Sequence, residues 1–93
     1  MRRRRFDHLA IELSLAVDRA VPRFALWTAL HEGGADPEQL SRDAALAFCD
    51  APLDRFLAGL GLALPAPARR RLRRRVARFD PRHPAPEEIF ARL

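Results

Sequence analysis

No lysine, asparagine or tyrosine occurs in this chain, and cysteine and tryptophan occur once each. Each absence removes a class of chemistry. The lone Cys49 cannot close an internal disulfide, whereas small secreted domains usually carry several pairs, so the redox hint points to a reducing compartment such as the cytoplasm. Without lysine, the glycines of "HEGGAD" at 31–36 lack the cation of a phosphate-binding loop. His8, His31 and His83 lie far apart, so no metal-ligand spacing exists. Ser14, Thr28 and Ser41 are the hydroxyl candidates for a nucleophile, and none sits in an elbow motif. Asp50 and Asp54 share a helical turn and Glu87 and Glu88 are adjacent, but capping and solvation account for both pairs better than acid-base work. The expectation is a non-enzymatic protein with no cofactor and no metal.

Long apolar runs are missing too. No stretch approaches the roughly eighteen apolar residues that a membrane helix needs, so no integral membrane association is expected. The start "MRRRRF" has the charge of an export signal, and Arg3-Arg4-Arg5-Phe6 brushes against the twin-arginine pattern. However, Asp7, His8, Glu12 and Asp18 interrupt the apolar stretch such a signal requires, which argues against export.

What remains is a chain of 93 residues, 48% apolar and 31% charged, enough for one modest core. All 17 basic residues are arginine, which looks like a coding bias and makes the choice of arginine over lysine uninformative. Clustering is another matter, because such a bias does not place the arginines. Residues 1–5 carry four arginines, residues 6–66 carry nine acids against four arginines, and residues 67–82 carry eight arginines against Asp80. An acidic body is thus bracketed by two basic patches.

The punctuation is helical. Leu9, Leu13, Ala16, Val17 and Ala20 follow helical spacing after Phe6, with Asp7 as N-cap. Pro22 either kinks this helix or starts a second one, whose apolar stripe is Phe24, Ala25, Trp27 and Leu30 and whose stop is Gly33-Gly34. Trp27 is read chiefly as core, with an oligomer contact as its other use. A third helix is predicted from "DPEQ", with Asp36 as N-cap, Pro37 in the first turn, Gln39 completing a capping box, and Leu40, Ala44, Ala47 and Phe48 buried. Asp50 is expected to cap a fourth helix that buries Leu53, Phe56, Leu57 and Leu60 and ends at Gly61. A fifth starts near Pro67 and stops before Asp80-Pro81, and "EEIFARL" is read as a last short turn docking Ile89, Phe90 and Leu93. Strand-like alternation is absent. The fold expected is all-α, a single small bundle of four to five short helices: a basic tail at 1–5, a helical domain at 6–80 and a Pro-rich segment at 81–93. Cys49 is read as a small core residue rather than a reactive thiol.

The fifth helix, "ARRRLRRRVARF" at 68–79, holds seven arginines in twelve positions. At about 100° per residue, Ala68, Leu72, Val76 and Phe79 fall within an arc of roughly 80° and can seat on a core. Arg69, Arg70, Arg71, Arg73, Arg74, Arg75 and Arg78 fill nearly all the rest. Like-charged pairs at i,i+3 and i,i+4 then cost on the order of 1.5 to 3.5 kcal/mol in total. Such a helix calls for an anion. Nucleic acid is the leading expectation, its backbone held by this helix (67–79) and by a flexible arm of Arg2, Arg3, Arg4 and Arg5. The alternatives are an acidic protein surface, including that of another copy in a homo-oligomer, and neutralisation by the chain's own acids. A membrane-surface role is weaker, since the apolar arc is narrow.

A helix-turn-helix in 38–61 is disfavoured. The linker is too long, and the would-be reading helix begins with Asp50 and carries Asp54, which would repel phosphates. Only Phe79 interleaves with the arginines, which speaks against a base-stacking platform. Binding directed at the backbone, with little sequence preference, is the expectation.

Overall fold

The structure, a computed structural model, describes residues 4–80. Within them the chain forms five α-helices, α1 (Arg4–Val17), α2 (Arg23–Glu32), α3 (Arg42–Phe48), α4 (Ala51–Gly59) and α5 (Ala66–Arg78), with one 3-10 turn at Pro37–Gln39. No strand occurs among the described residues, so the fold is all-α. The terminal turn predicted at "EEIFARL" lies outside the described residues, as do Arg2, Arg3 and His83.

Helix ends follow from local chemistry. Three helices stop in the same way, with a residue in the left-handed region followed by a backbone bond reaching back five residues. In α2 and α4 that residue is Gly34 or Gly61, at φ 90° and 73°. Behind them, Ala35 N–H donates to Leu30 at 3.0 Å and Leu62 N–H to Leu57 at 2.8 Å. At the end of α1 Asp18 takes this role at φ 55°, and Arg19 N–H donates to the Ser14 carbonyl at 3.1 Å. Short polar residues tolerate this conformation better than other non-glycine residues do. Ser14 Oγ then accepts from Val21 N–H at 3.0 Å, and Pro22 starts α2 instead of kinking α1.

Two of the expected starts are displaced, and a third stands in place without its capping bond. α1 begins at Arg4, so Asp7 is not its cap but a first-turn residue that accepts an ion pair from Arg23. The "DPEQ" capping arrangement holds only the 3-10 turn, with Asp36 Oδ1 accepting from Glu38 N–H at 3.0 Å. Leu40 is extended after it, and α3 starts three residues beyond Gln39, with Ser41 Oγ accepting from Ala44 N–H at 3.0 Å. Asp50 stands at the start of α4 but makes no capping bond, because its carboxylate points at α5.

The core is built from Leu9, Leu13, Leu26, Leu30, Leu53, Leu57, Leu72 and Val76, with Cys49 among them. α1 and α5 run antiparallel: Arg5 lies at Phe79, Glu12 at Arg75, and Ala16 shares a groove with Ala68. α3 packs on the other flank of α5, and α2 and α4 are antiparallel neighbours on the far side. The expected face of α2 is wrong in one respect. Leu26 and Leu30 are its buried residues, whereas Phe24 is 80% exposed and Trp27 is half-buried at the core edge. Apolar side chains occur all round this helix, so periodicity alone could not select the inward face. Likewise Ala45 rather than Ala47 is buried in α3, and Leu60 is exposed at the end of α4.

Candidate anion-binding face of α5

The register of α5 is the predicted one: Leu72 and Val76 are buried, Phe79 is buried just beyond the helix end, and Ala68 packs at the edge. That single stripe sorts the seven arginines into three groups. On the flank toward α3 and α4, Arg69 pairs with Asp54, and Arg73 Nη1 donates to Asp50 Oδ1 at 2.7 Å and to the Leu46 carbonyl at 3.0 Å. Toward α1, Arg75 Nε lies 3.6 Å from Glu12 Oε2, whose side chain is only 12% exposed. Between these flanks Arg70, Arg71, Arg74 and Arg78 are exposed and make no ion pair among the described residues.

Neutralisation by the chain's own acids is therefore real but partial. It takes up Arg69, Arg73 and Arg75, and it removes most of the like-charge cost expected from sequence. Among the four arginines left over, the neighbouring pairs are 70 with 74, 71 with 74, and 74 with 78. At about 0.2 to 0.5 kcal/mol per pair, the remaining cost is about 0.6 to 1.5 kcal/mol. These four lie within an arc of about 100° and along about 12 Å of helix. Guanidinium forks so placed donate to phosphate or carboxylate oxygens.

The N-terminal arginines do not all join this face. Arg4 and Arg5 are half-buried in the first turn of α1 rather than in a loose arm. Arg5 sits 5.6 Å above the Phe79 ring and donates to the Phe79 carbonyl at 3.5 Å, closing the C-terminal end of α5. Burial, and then the charge of Arg42, push the Arg5 pKa down, while Asp80 pulls it up. Buried His8 also stacks on the Phe79 ring, with centroids 4.2 Å apart at 18°, and its Nε2 lies 3.7 Å from Glu12 Oε1. This Arg5, His8, Phe79 cluster joins residues more than seventy positions apart, and no sequence pattern announces it.

Cys49 is fully buried in the core, and burial pushes its thiol up to about 11. No group of His, Cys, Asp or Glu suited to a metal ion occurs among the described residues. No helix among them is long and apolar enough to cross a membrane. Comparison with family models, curated proteins and solved structures finds no match to this chain.

Proposed function

We propose that the protein is a binding module that holds a nucleic acid by its backbone through Arg70, Arg71, Arg74 and Arg78. One observation carries this reading: four exposed arginines share one face of α5 and pair with no acid among the described residues. Measured along the duplex axis, each strand carries one phosphate per about 3.4 Å of rise, so with α5 parallel to that axis the roughly 12 Å between Arg70 and Arg78 spans three to four of these steps. No reading helix accompanies this face, which favours weak sequence preference. The test is binding to arbitrary duplex DNA and to RNA across a salt series. Contacts to about four phosphates give a log-log slope near −3.6, and the absence of binding at low salt would rule the reading out.

A second reading has one observation in its favour. Between α1 and α5 runs a groove with Ile11 and Leu15 exposed in it and with Arg71 and Arg75 on its rim. An acidic helix with an apolar stripe would fit there, making the protein an accessory subunit of a larger assembly. Leu15→Glu discriminates the two: it would abolish docking of such a helix and leave the salt slope on DNA unchanged.

A further inference from the structure

The groove between α1 and α5 holds about 430 Å³ and has two unlike walls. Along α1, Ile11 and Leu15 stand one turn apart, 51% and 69% exposed; they are two of the four large apolar residues exposed among the described ones. Along α5 the wall is basic, with Arg71 and Arg75. Among the described residues that line the groove Glu12 is the one acid, and it is already engaged by Arg75 and His8. An occupant must therefore bring apolar side chains for α1 and a carboxylate for α5.

The chain carries such a segment a few residues beyond α5. Of its 12 acids, Glu87 and Glu88 alone lie outside the described residues, and Ile89, Phe90 and Leu93 follow directly. Reach favours this groove too. Arg5 and His8 hold Phe79 against α1, so the chain leaves α5 at one end of the groove. From Phe79 back to Ala68, which lines the other end, is about 16 Å of helix, and residues 81–86 can span up to about 20 Å. A tether this short keeps a segment at about millimolar local concentration, above that of the same segment on another copy in dilute solution. The groove between α2 and α4 fits less well, since Glu32 lines it together with Arg55 and would oppose the acids. We propose that residues 87–93 dock in the α1–α5 groove, with Ile89, Phe90 and Leu93 covering Ile11 and Leu15 and a carboxylate of the Glu87–Glu88 pair meeting the Arg71–Arg75 wall. Adjacent side chains diverge in a helix or a strand, so one acid of the pair reaches that wall while the other stays in water. Arg70 and Arg74 do not line the groove, so docking and the proposed binding of nucleic acid are separable. An outside helix would have to displace this segment.

Disulfide trapping on the full chain reads this directly, with buried Cys49 left in place. Half-buried Ala16 lines this groove, half-buried Ala25 lines the α2–α4 groove, and Ala91 lies in the segment, so cysteines at these sites leave every apolar docking residue intact. Circular dichroism of the reduced variants checks the fold. Under mild oxidation Ala16→Cys with Ala91→Cys should close an intramolecular bond about tenfold faster than Ala25→Cys with Ala91→Cys. Phe90→Glu should remove that advantage. Glu87→Gln with Glu88→Gln should slow the closure about two- to fivefold at low salt, the range of exposed ion pairs, and should have no effect at about 1 M salt. Equal rates for the two cysteine pairs would overturn the proposal and leave the groove to an outside helix. Disulfide-linked dimers in place of the intramolecular bond would overturn it by assigning the groove to another copy. A closure indifferent to Phe90→Glu, or to loss of both acids at low salt, would overturn it as well.

Discussion

Arg73 and Asp50 meet at 2.7 Å, and the same Arg73 nitrogen donates to the Leu46 carbonyl at 3.0 Å, in the last turn of α3. One guanidinium thus closes the end of α3 and holds the start of α4 against α5. The residue next to it, Arg74, is exposed and has no ion partner among the described residues. Two arginines adjacent in sequence therefore have opposite roles, and substitution should separate them.

Arg73→Gln removes an exposed ion pair and a charged hydrogen bond to a carbonyl, and should cost about 1 to 2 kcal/mol. Arg74→Gln instead removes three like-charge neighbours and should stabilise by about 0.5 to 1.5 kcal/mol at low ionic strength. For a chain of this size 1 kcal/mol corresponds to about 4 to 8 °C in Tm. Thermal unfolding of the two variants should move in opposite directions. At about 1 M salt, where the Debye length is about 3 Å, the gain in Arg74→Gln should vanish. Equal losses in both variants would contradict this division of the helix.

Relief of the same repulsion should also come from outside. Inorganic tripolyphosphate at low salt should raise the Tm of the native chain, by mass action on the folded state. The combined variant Arg70→Gln, Arg74→Gln, Arg78→Gln should lose that response and most of its affinity for duplex DNA. Arg69→Gln should keep the response, because Arg69 is already engaged by Asp54.

The absence of lysine and tyrosine isolates Cys49 in alkaline titration, since no other side chain in this sequence has an ordinary pKa between 9 and 11. Burial raises its thiol from 9.0 to about 11, which means that the folded state keeps the proton longer than the unfolded one. Stability from this source is complete below about pH 9 and is lost as pH rises toward 11, by an amount on the order of 2 kcal/mol. Urea unfolding at pH 8, 9.5 and 11 should show this decline in the native chain, and Cys49→Ala should show a flat profile at lower overall stability. A native thiol that reacts with a disulfide reagent at pH 8 without unfolding would contradict its burial.

Helix starts provide a further check. Ser41→Ala should cost about 1 kcal/mol, because it removes the cap of α3, which carries buried Ala45 and Phe48. Asp36→Ala should cost less, since Asp36 closes only a 3-10 turn. Had the capping box opened a full helix, the order would be reversed. Urea midpoints for the two variants decide it.

The sequence by itself determined the class of fold, the two glycine stops at Gly34 and Gly61, and the buried stripe of α5. Each rests on local chemistry: backbone that needs a left-handed residue, or an apolar arc narrow enough to have one orientation. Tertiary structure decided the rest. Apolar residues surround α2, so only packing against α4 and the Pro37–Gln39 turn could choose Leu26 and Leu30 over Phe24. "DPEQ" satisfies a capping rule, yet extended Leu40 breaks the chain before α3. The division of the seven arginines was invisible in the sequence as well, because their partners Asp50, Asp54 and Glu12 lie 15 to 63 residues away and meet them only when α5 is seated between α1 and α3. Helical periodicity fixes which side of a segment turns inward, but which carboxylate stands beside which guanidinium is a property of the assembled bundle.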